Sequence, residues 1–262
     1  MALSWKLDPF AMIPYWPPFY VRLGPFTISP PIALACAGIL VAHFLLLRRV
    51  GRQGLDRETA AMMSLVMVVA GAFGAYWFRG VYQADAVKRD WHTLLQFQYG
   101  AASFGGLAFG LLAGWVYLAF RRLPPGHASR YLDALAFVFP TGWIIGRAGC
   151  ILAHDHPGIR TESFFGVRYP GGTRFDLAVI EVLFLALVML PLFAFLDRRP
   201  RAGGFWLGAF LTVYGGFRLW LDTLHVDPPR YGPFSVDQWA YGSVLLLGLT
   251  LLTRWKQTNS VK

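Results

Sequence analysis

The sequence predicts an all-α polytopic membrane protein with about seven transmembrane helices, forming one integral domain over residues 1–262. Three observations predict it. The chain is 56% hydrophobic and only 15% charged, where soluble domains carry about 25% charged residues. Apolar runs close to the ~20 residues that cross a bilayer core recur along its length. Basic residues gather in short segments between those runs, which argues against nucleic acid as the reason for the net charge of +10.

The first 29 residues contain "MALSWKLDPFAMIPYWPPFYVRLGPF". Prolines break this stretch, so it lacks the apolar core of a signal peptide. Its Trp and Tyr residues suit a segment lying at the membrane interface. Spans are then expected near Pro31–Leu47, Met62–Tyr82, Ala101–Phe120, Leu132–Leu152, Leu177–Leu196, Gly204–Leu221 and Val236–Leu252. Arginines follow the first span (Arg48, Arg49, Arg52, Arg57), the third (Arg121, Arg122, Arg130) and the fifth (Arg198, Arg199, Arg201), and the C-terminus adds Arg254, Lys256 and Lys262. Basic loops mark the cytoplasmic side, so the alternation predicts an outside N-terminus and a cytoplasmic C-terminus. The strip "YQADAVKRDWHTLLQFQYG" reads as an amphipathic surface segment. Gly106, Gly110 and Gly114 recur every four residues, as do Gly204 and Gly208, and both sets are expected to be helix-packing faces. Two cysteines, Cys36 and Cys150, are too few for a disulfide framework.

Charged residues inside these runs carry the functional reading. An arginine at the centre of a membrane helix costs at least ~2.5–3.5 kcal/mol on insertion scales, and needs a partner, a wet cavity or an anionic ligand. With the predicted orientation, Arg147 and Arg218 lie near the outer ends of the fourth and sixth spans, and Glu181 near the outer end of the fifth. "HDHPG", with His154, Asp155, His156 and Gly158, follows at the mouth of the fourth. Tyr214, Arg218 and Asp222 are four apart and share a helix face, with His225 expected one turn on. Two explanations stand side by side. One is a structural network in which Asp222 neutralises Arg218 and either Asp155 or Glu181 neutralises Arg147. The other is a phosphate site, because the guanidinium fork matches phosphate oxygens. At headgroup depth in the outer leaflet, that phosphate belongs to a phospholipid.

At these residues the chain resembles the prolipoprotein diacylglyceryl transferase family. "VRLGPFTIS" is similar to the family's entry to its first span, and "SFGGLAFG" to its third-span motif. The family signature, roughly Gly-Arg-x-Gly-Asn-x-x-Asn-Gly-Glu-x-x-Gly, falls on Gly146 to Gly158. "VYGGFR" resembles its Tyr-Gly-x-x-Arg, with Asp222 where a glutamate is usual, and Glu181 matches a fifth-span glutamate. The resemblance implies a seven-span enzyme of the bacterial cytoplasmic membrane, with its site facing the outer leaflet. It implies transfer of diacylglycerol from phosphatidylglycerol to the lipobox cysteine of a prolipoprotein signal peptide, among membrane lipids and without metal or organic cofactor. Arg147 and Arg218 would bind the lipid phosphate and Tyr214 would position it. Gly149 and Gly158 would permit close backbone approach, with Glu181, Asp222 and Ser103 in support.

The departures concern proton handling. The family's third-span histidine, a proposed base for the thiol, is Phe104 here, and the signature asparagines are Cys150 and Ala153. Either His154 or His156 replaces that base, with Asp155 orienting one of them, or the chain is an altered relative that binds phospholipid or lipoprotein without transfer, or uses another acceptor. A zinc site from Cys150, His154, Asp155 and His156 is a third, weaker reading. Residues 153–176 are expected to be an external loop near the site.

Overall fold

A computed structural model describes residues 13–17, 21–23, 26–90, 92 and 102–260. Much of the interfacial segment, most of 91–101 and the basic side chains at the C-terminus therefore lie outside the described residues.

A short hairpin, β1 (Val21–Leu23) and β2 (Phe26–Ile28), precedes α1 (Pro30–Arg52). Then follow α2 (Arg57–Tyr82), α3 (Ala84–Arg89), α4 (Ser103–Phe120) and α5 (His127–Ala153). The segment 153–176 holds a three-stranded antiparallel sheet, so the fold is mostly helical and not purely α. It comprises β3 (Pro157–Arg160), β4 (Val167–Tyr169) and β5 (Gly172–Asp176), in the order β3-β5-β4. Gly172, at φ +112°, makes the tight β4–β5 turn that a side chain would resist. The fifth apolar run is α6 (Leu177–Phe184), a π-turn segment at Leu185–Met189 and α7 (Leu190–Leu196). The wider turn precedes Pro191, whose ring cannot join a regular helical ladder. Next come α8 (Phe205–Asp222), a small hairpin of β6 (Arg230–Tyr231) and β7 (Phe234–Ser235), and α9 (Val236–Ser260).

Among the described residues, five segments are long and apolar enough to cross a membrane: α1, α2, α4, α5 and Leu177–Leu196. Helices α8 and α9 stand at the sixth and seventh expected positions. The outward face of α2 shows what solvent it suits. Leu65, Val69, Phe73 and Trp77 form one stripe at four-residue spacing, and each is more than half exposed. Such a stripe is stable against hydrocarbon, not water.

The chain divides into two compact units, one of residues 1–41, 140–198 and 220–227, the other of 42–139, 199–219 and 228–262. In the second unit α2 and α4 pack through glycine. A Cβ on Gly106 would meet the Gly71 carbonyl oxygen at 3.3 Å, and one on Gly110 the Met67 carbonyl oxygen at 3.1 Å. Small residues let these backbones touch. Gly208 packs likewise, against Leu252 and Gly248. Gly204 does not: it has open space around its Cα and φ +93°. It is a turn residue whose N–H donates to Asp133 at 2.7 Å, while Leu207 N–H donates to the other oxygen at 2.9 Å. Asp133 thereby satisfies two N–H groups that the start of α8 would leave without partners.

In the first unit α1 meets α5 at Gly38, where a methyl group would overlap the Gly142 carbonyl oxygen. Alanine gains up to ~1 kcal/mol of helix propensity. The obstacle here is backbone, which cannot yield, so overpacking of about 1–3 kcal/mol wins. Gly38→Ala should lower the thermal unfolding temperature of the detergent-solubilised protein. Gly242→Ala, in open space on α9, should leave it unchanged or raise it; equal losses at both positions would contradict the packing account.

Candidate active site

Two stripes on α5 organise the site in the first unit. Gly142, Gly146 and Gly149 follow helical spacing and face α1: a Cβ on Gly149 would meet Pro31 Cα at 2.7 Å and the Pro30 carbonyl oxygen at 2.9 Å. One residue further round, Trp143, Arg147 and Cys150 share the neighbouring stripe. Trp143 Nε1–H donates to Glu181 Oε1 at 2.8 Å, and Arg147 Nη2 lies 2.8 Å from Glu181 Oε2. The Glu181 side chain is fully buried and that of Arg147 is 6% exposed. Of the two partners the sequence offered for Arg147, the structure pairs it with Glu181 from α6. Arg147 Nη1 points the other way, 3.1 Å from His156 Nε2 and 3.5 Å from Cys150 Sγ.

The turn after α5 separates its two histidines. His154 adopts φ +48°, which sends its ring inward. Its Nδ1 lies 3.2 Å from Asp176 Oδ2, and its side chain is 1% exposed. Tyr15, Trp16 and Tyr169 pack around it, with ring centroids 4.8, 4.6 and 5.6 Å away. Asp176 also caps α6, accepting from the N–H groups of Ala178 at 3.0 Å and Val179 at 3.2 Å. It further accepts from the Tyr169 hydroxyl at 2.9 Å. Burial, then the Asp176 carboxylate, raises the Tyr169 hydroxyl far above its ordinary pKa, so this group donates. His156 faces outward instead, with its side chain 32% exposed and its Nδ1 hydrogen-bonded to Asp155. Its carbonyl oxygen accepts from Leu177 N–H at 3.0 Å, which ties the turn to α6. Gly158 sits where a Cβ would meet the Leu224 carbonyl oxygen at 2.8 Å.

His225 does not extend the α8 stripe as expected. The helix ends at Asp222, ahead of the two prolines in "HVDPPR". His225 instead pairs backbone to backbone with Gly158, while its Nδ1 lies 3.2 Å from Asp222 Oδ1.

The second unit holds the other arginine. Arg218 is buried, with Nη2 3.4 Å from Asp237 Oδ2 and its guanidinium 4.6 Å above the Tyr241 ring. Tyr82 donates its hydroxyl to Asp237. Tyr214 is buried, stacked on Phe210 and edge-on to Tyr241. Phe104 also packs on Tyr241, at 5.7 Å, and on Phe78, at 5.2 Å. This residue, standing where a histidine was expected, thus builds an aromatic wall next to the Arg218 cluster. An apolar groove of about 710 Å³ opens beside it, lined by Trp77, Phe78, Phe104, Tyr231, Trp239 and Ala240 among others. Ser103 is exposed at the start of α4.

The four-donor zinc set is not assembled, because His154 turns away to Asp176. Donor atoms of Cys150, Asp155 and His156 do lie within 4.8 Å of one another. The Arg147 guanidinium occupies the same corner, within 3.5 Å of the sulfur and 3.1 Å of the imidazole. A fixed cation at that distance opposes a metal cation, so the donor set does not fit one. Sequence reasoning missed Trp143, Asp176 and Asp237, each of which pairs with a residue distant in the chain: Trp143 with Glu181, Asp176 with His154, and Asp237 with Arg218 and Tyr82.

The family model described as prolipoprotein diacylglyceryl transferase matches residues 18–254. A protein of Chromohalobacter salexigens named phosphatidylglycerol–prolipoprotein diacylglyceryl transferase is 27% identical over 242 residues, spanning 89% of this chain and 88% of its own. One of the same name from Geobacter sulfurreducens is 28% identical over 259 residues, spanning 91% and 95%. Another from Thermotoga petrophila is 23% identical, spanning 88% and 82%. With the match running from ahead of α1 into α9, this chain belongs to the prolipoprotein diacylglyceryl transferase family.

Proposed function

We propose that this chain transfers the diacylglyceryl group of phosphatidylglycerol to the lipobox cysteine thiol of a prolipoprotein signal peptide. It does so at the outer leaflet of a bacterial cytoplasmic membrane. The observation that carries this reading is Arg147: a buried guanidinium, within the family signature, on a helix apolar enough to cross a bilayer. Glu181 engages it at Nη2, and its planar donor fork suits phosphate oxygens. Arg147 binds the lipid phosphate; Arg218, with Tyr214 as a positioning residue, is the phosphate ligand that the family pattern assigns in the second unit. Seven spans with the N-terminus outside bring both arginines to headgroup depth.

The chemistry is a displacement at carbon. The cysteine sulfur attacks the glycerol carbon that bears the phosphate ester. A C–S bond forms as the C–O bond breaks, and glycerol phosphate leaves with the electron pair. Guanidinium groups aimed at the phosphate stabilise the charge that grows on the departing oxygen, where low polarity strengthens them.

The test uses the purified protein in vesicles containing phosphatidylglycerol, given a lipobox peptide, with the product read by mass spectrometry. The expected product is the peptide heavier by one diacylglyceryl group. Its absence, under conditions where a Geobacter or Chromohalobacter relative forms it, would falsify the transfer reading and leave lipid binding alone.

A further inference from the structure

We infer that His156, oriented by Asp155, is the base that takes the proton from the acceptor thiol; the inference rests on the transfer reading above. A free thiol has a pKa of about 8.5, and only its thiolate attacks well. The attacking sulfur must come within about 3–3.5 Å of a carbon that is itself one bond from the phosphate ester oxygen. If Arg147 holds that phosphate, the proton acceptor must stand beside Arg147. Glu181 is fully buried and already engaged by Arg147 and Trp143. Cys150 offers a thiol, not a base. His156 Nε2 lies 3.1 Å from Arg147 Nη1.

Arginine also fixes the tautomer. It has only donors, so the His156 nitrogen facing it presents its lone pair. The ring hydrogen therefore sits on Nδ1, which donates to Asp155. Asp155 thus holds one ring nitrogen, and the lone pair of the other accepts from Arg147; once Arg147 turns Nη1 to the lipid phosphate, that lone pair is released for the thiol proton, the arrangement general-base work requires. Exposure separates the two histidines. The His156 side chain is 32% exposed and can meet a peptide. The His154 side chain is 1% exposed, bound to Asp176 and enclosed by Tyr15, Trp16 and Tyr169; it braces the turn that presents its neighbour.

The step balances without a further reactant. The S–H proton passes to His156 Nε2. The thiolate forms the C–S bond while the C–O bond breaks toward glycerol phosphate. The proton then moves from Nε2 to the departing phosphate, which restores the neutral imidazole.

The test compares His156→Gln with the parent protein on two lipobox peptides, one with cysteine and one with selenocysteine, whose selenol is already ionised at neutral pH. With the cysteine peptide the variant should lose at least about 100-fold in kcat/KM, the usual worth of a general base. With the selenocysteine peptide it should stay within several-fold of the parent. Equal losses on both peptides would mean that His156 only shapes the site, and would overturn the inference; so would full activity on cysteine. If the parent itself gives no adduct with the cysteine peptide, the transfer reading fails and the base fails with it. Asp155→Asn, a change at a positioning residue, should show the same peptide selectivity with a smaller loss.

Discussion

Arg147→Lys should lower transfer from phosphatidylglycerol by roughly 10²–10³-fold while the protein still folds. That is the scale on which removal of one charge-stabilising donor is felt. Lysine keeps a positive charge near Glu181 and so preserves neutrality at a fully buried carboxylate. It lacks the planar fork, so it cannot face Glu181, His156 and a phosphate from one rigid group. Arg147→Ala tests a different quantity. It removes the cation from a buried pair, which typically costs 3–5 kcal/mol, and should reduce the yield of folded protein. The double variant Arg147→Ala with Glu181→Ala should recover thermal stability without recovering transfer. Unfolding curves and product mass spectra on the same preparations separate the two effects. Transfer by Arg147→Lys within several-fold of the parent would show that the guanidinium is structural.

Asp176→Ala should be the most damaging change outside the helices. One carboxylate caps α6 through two N–H groups, receives the Tyr169 hydroxyl and holds His154. Loss of the cap alone costs about 1 kcal/mol. Each of the two buried side-chain donors left without an acceptor adds ~1–3 kcal/mol, so a total of about 3–7 kcal/mol is expected. Asp176→Asn keeps an acceptor oxygen and should lose about half of that. The outcome is measurable as a lower unfolding temperature together with faster proteolytic cleavage between residues 157 and 176. Unchanged protease resistance in the alanine variant would refute a bracing role for this cluster.

Much of this arrangement was legible in the sequence, for identifiable reasons. Hydrophobic runs locate helices because backbone groups in lipid must be satisfied within the segment, and a helix stands at every expected span. Arg147, Arg218 and Glu181 stood out because charge within an apolar run is costly. The pairing of Arg147 with Glu181 was one of two options, decided only when α6 brought Glu181 against α5. The sheet at residues 157–176 was less visible. "VRYPGGTRF" does carry a turn signal between short β-prone stretches, but its strands are only three to five residues long. Gly204 illustrates a false signal: spacing suggested a packing face, while a positive φ makes it a turn. The division of labour between His154 and His156 could not be read from adjacent letters. It follows from one left-handed residue, which points two nearly neighbouring rings in opposite directions.

The glycine track on α5 also sets an azimuth. Successive residues on a helix are displaced by about 100° around its axis, so seating Gly142, Gly146 and Gly149 against α1 leaves a single compass bearing for the side chain at 147. One residue inserted between Gly146 and Arg147 would swing the guanidinium by about 100°, more than a quarter turn. The signature is thus indexed like a keyed shaft, and its lesions should act as switches rather than dials.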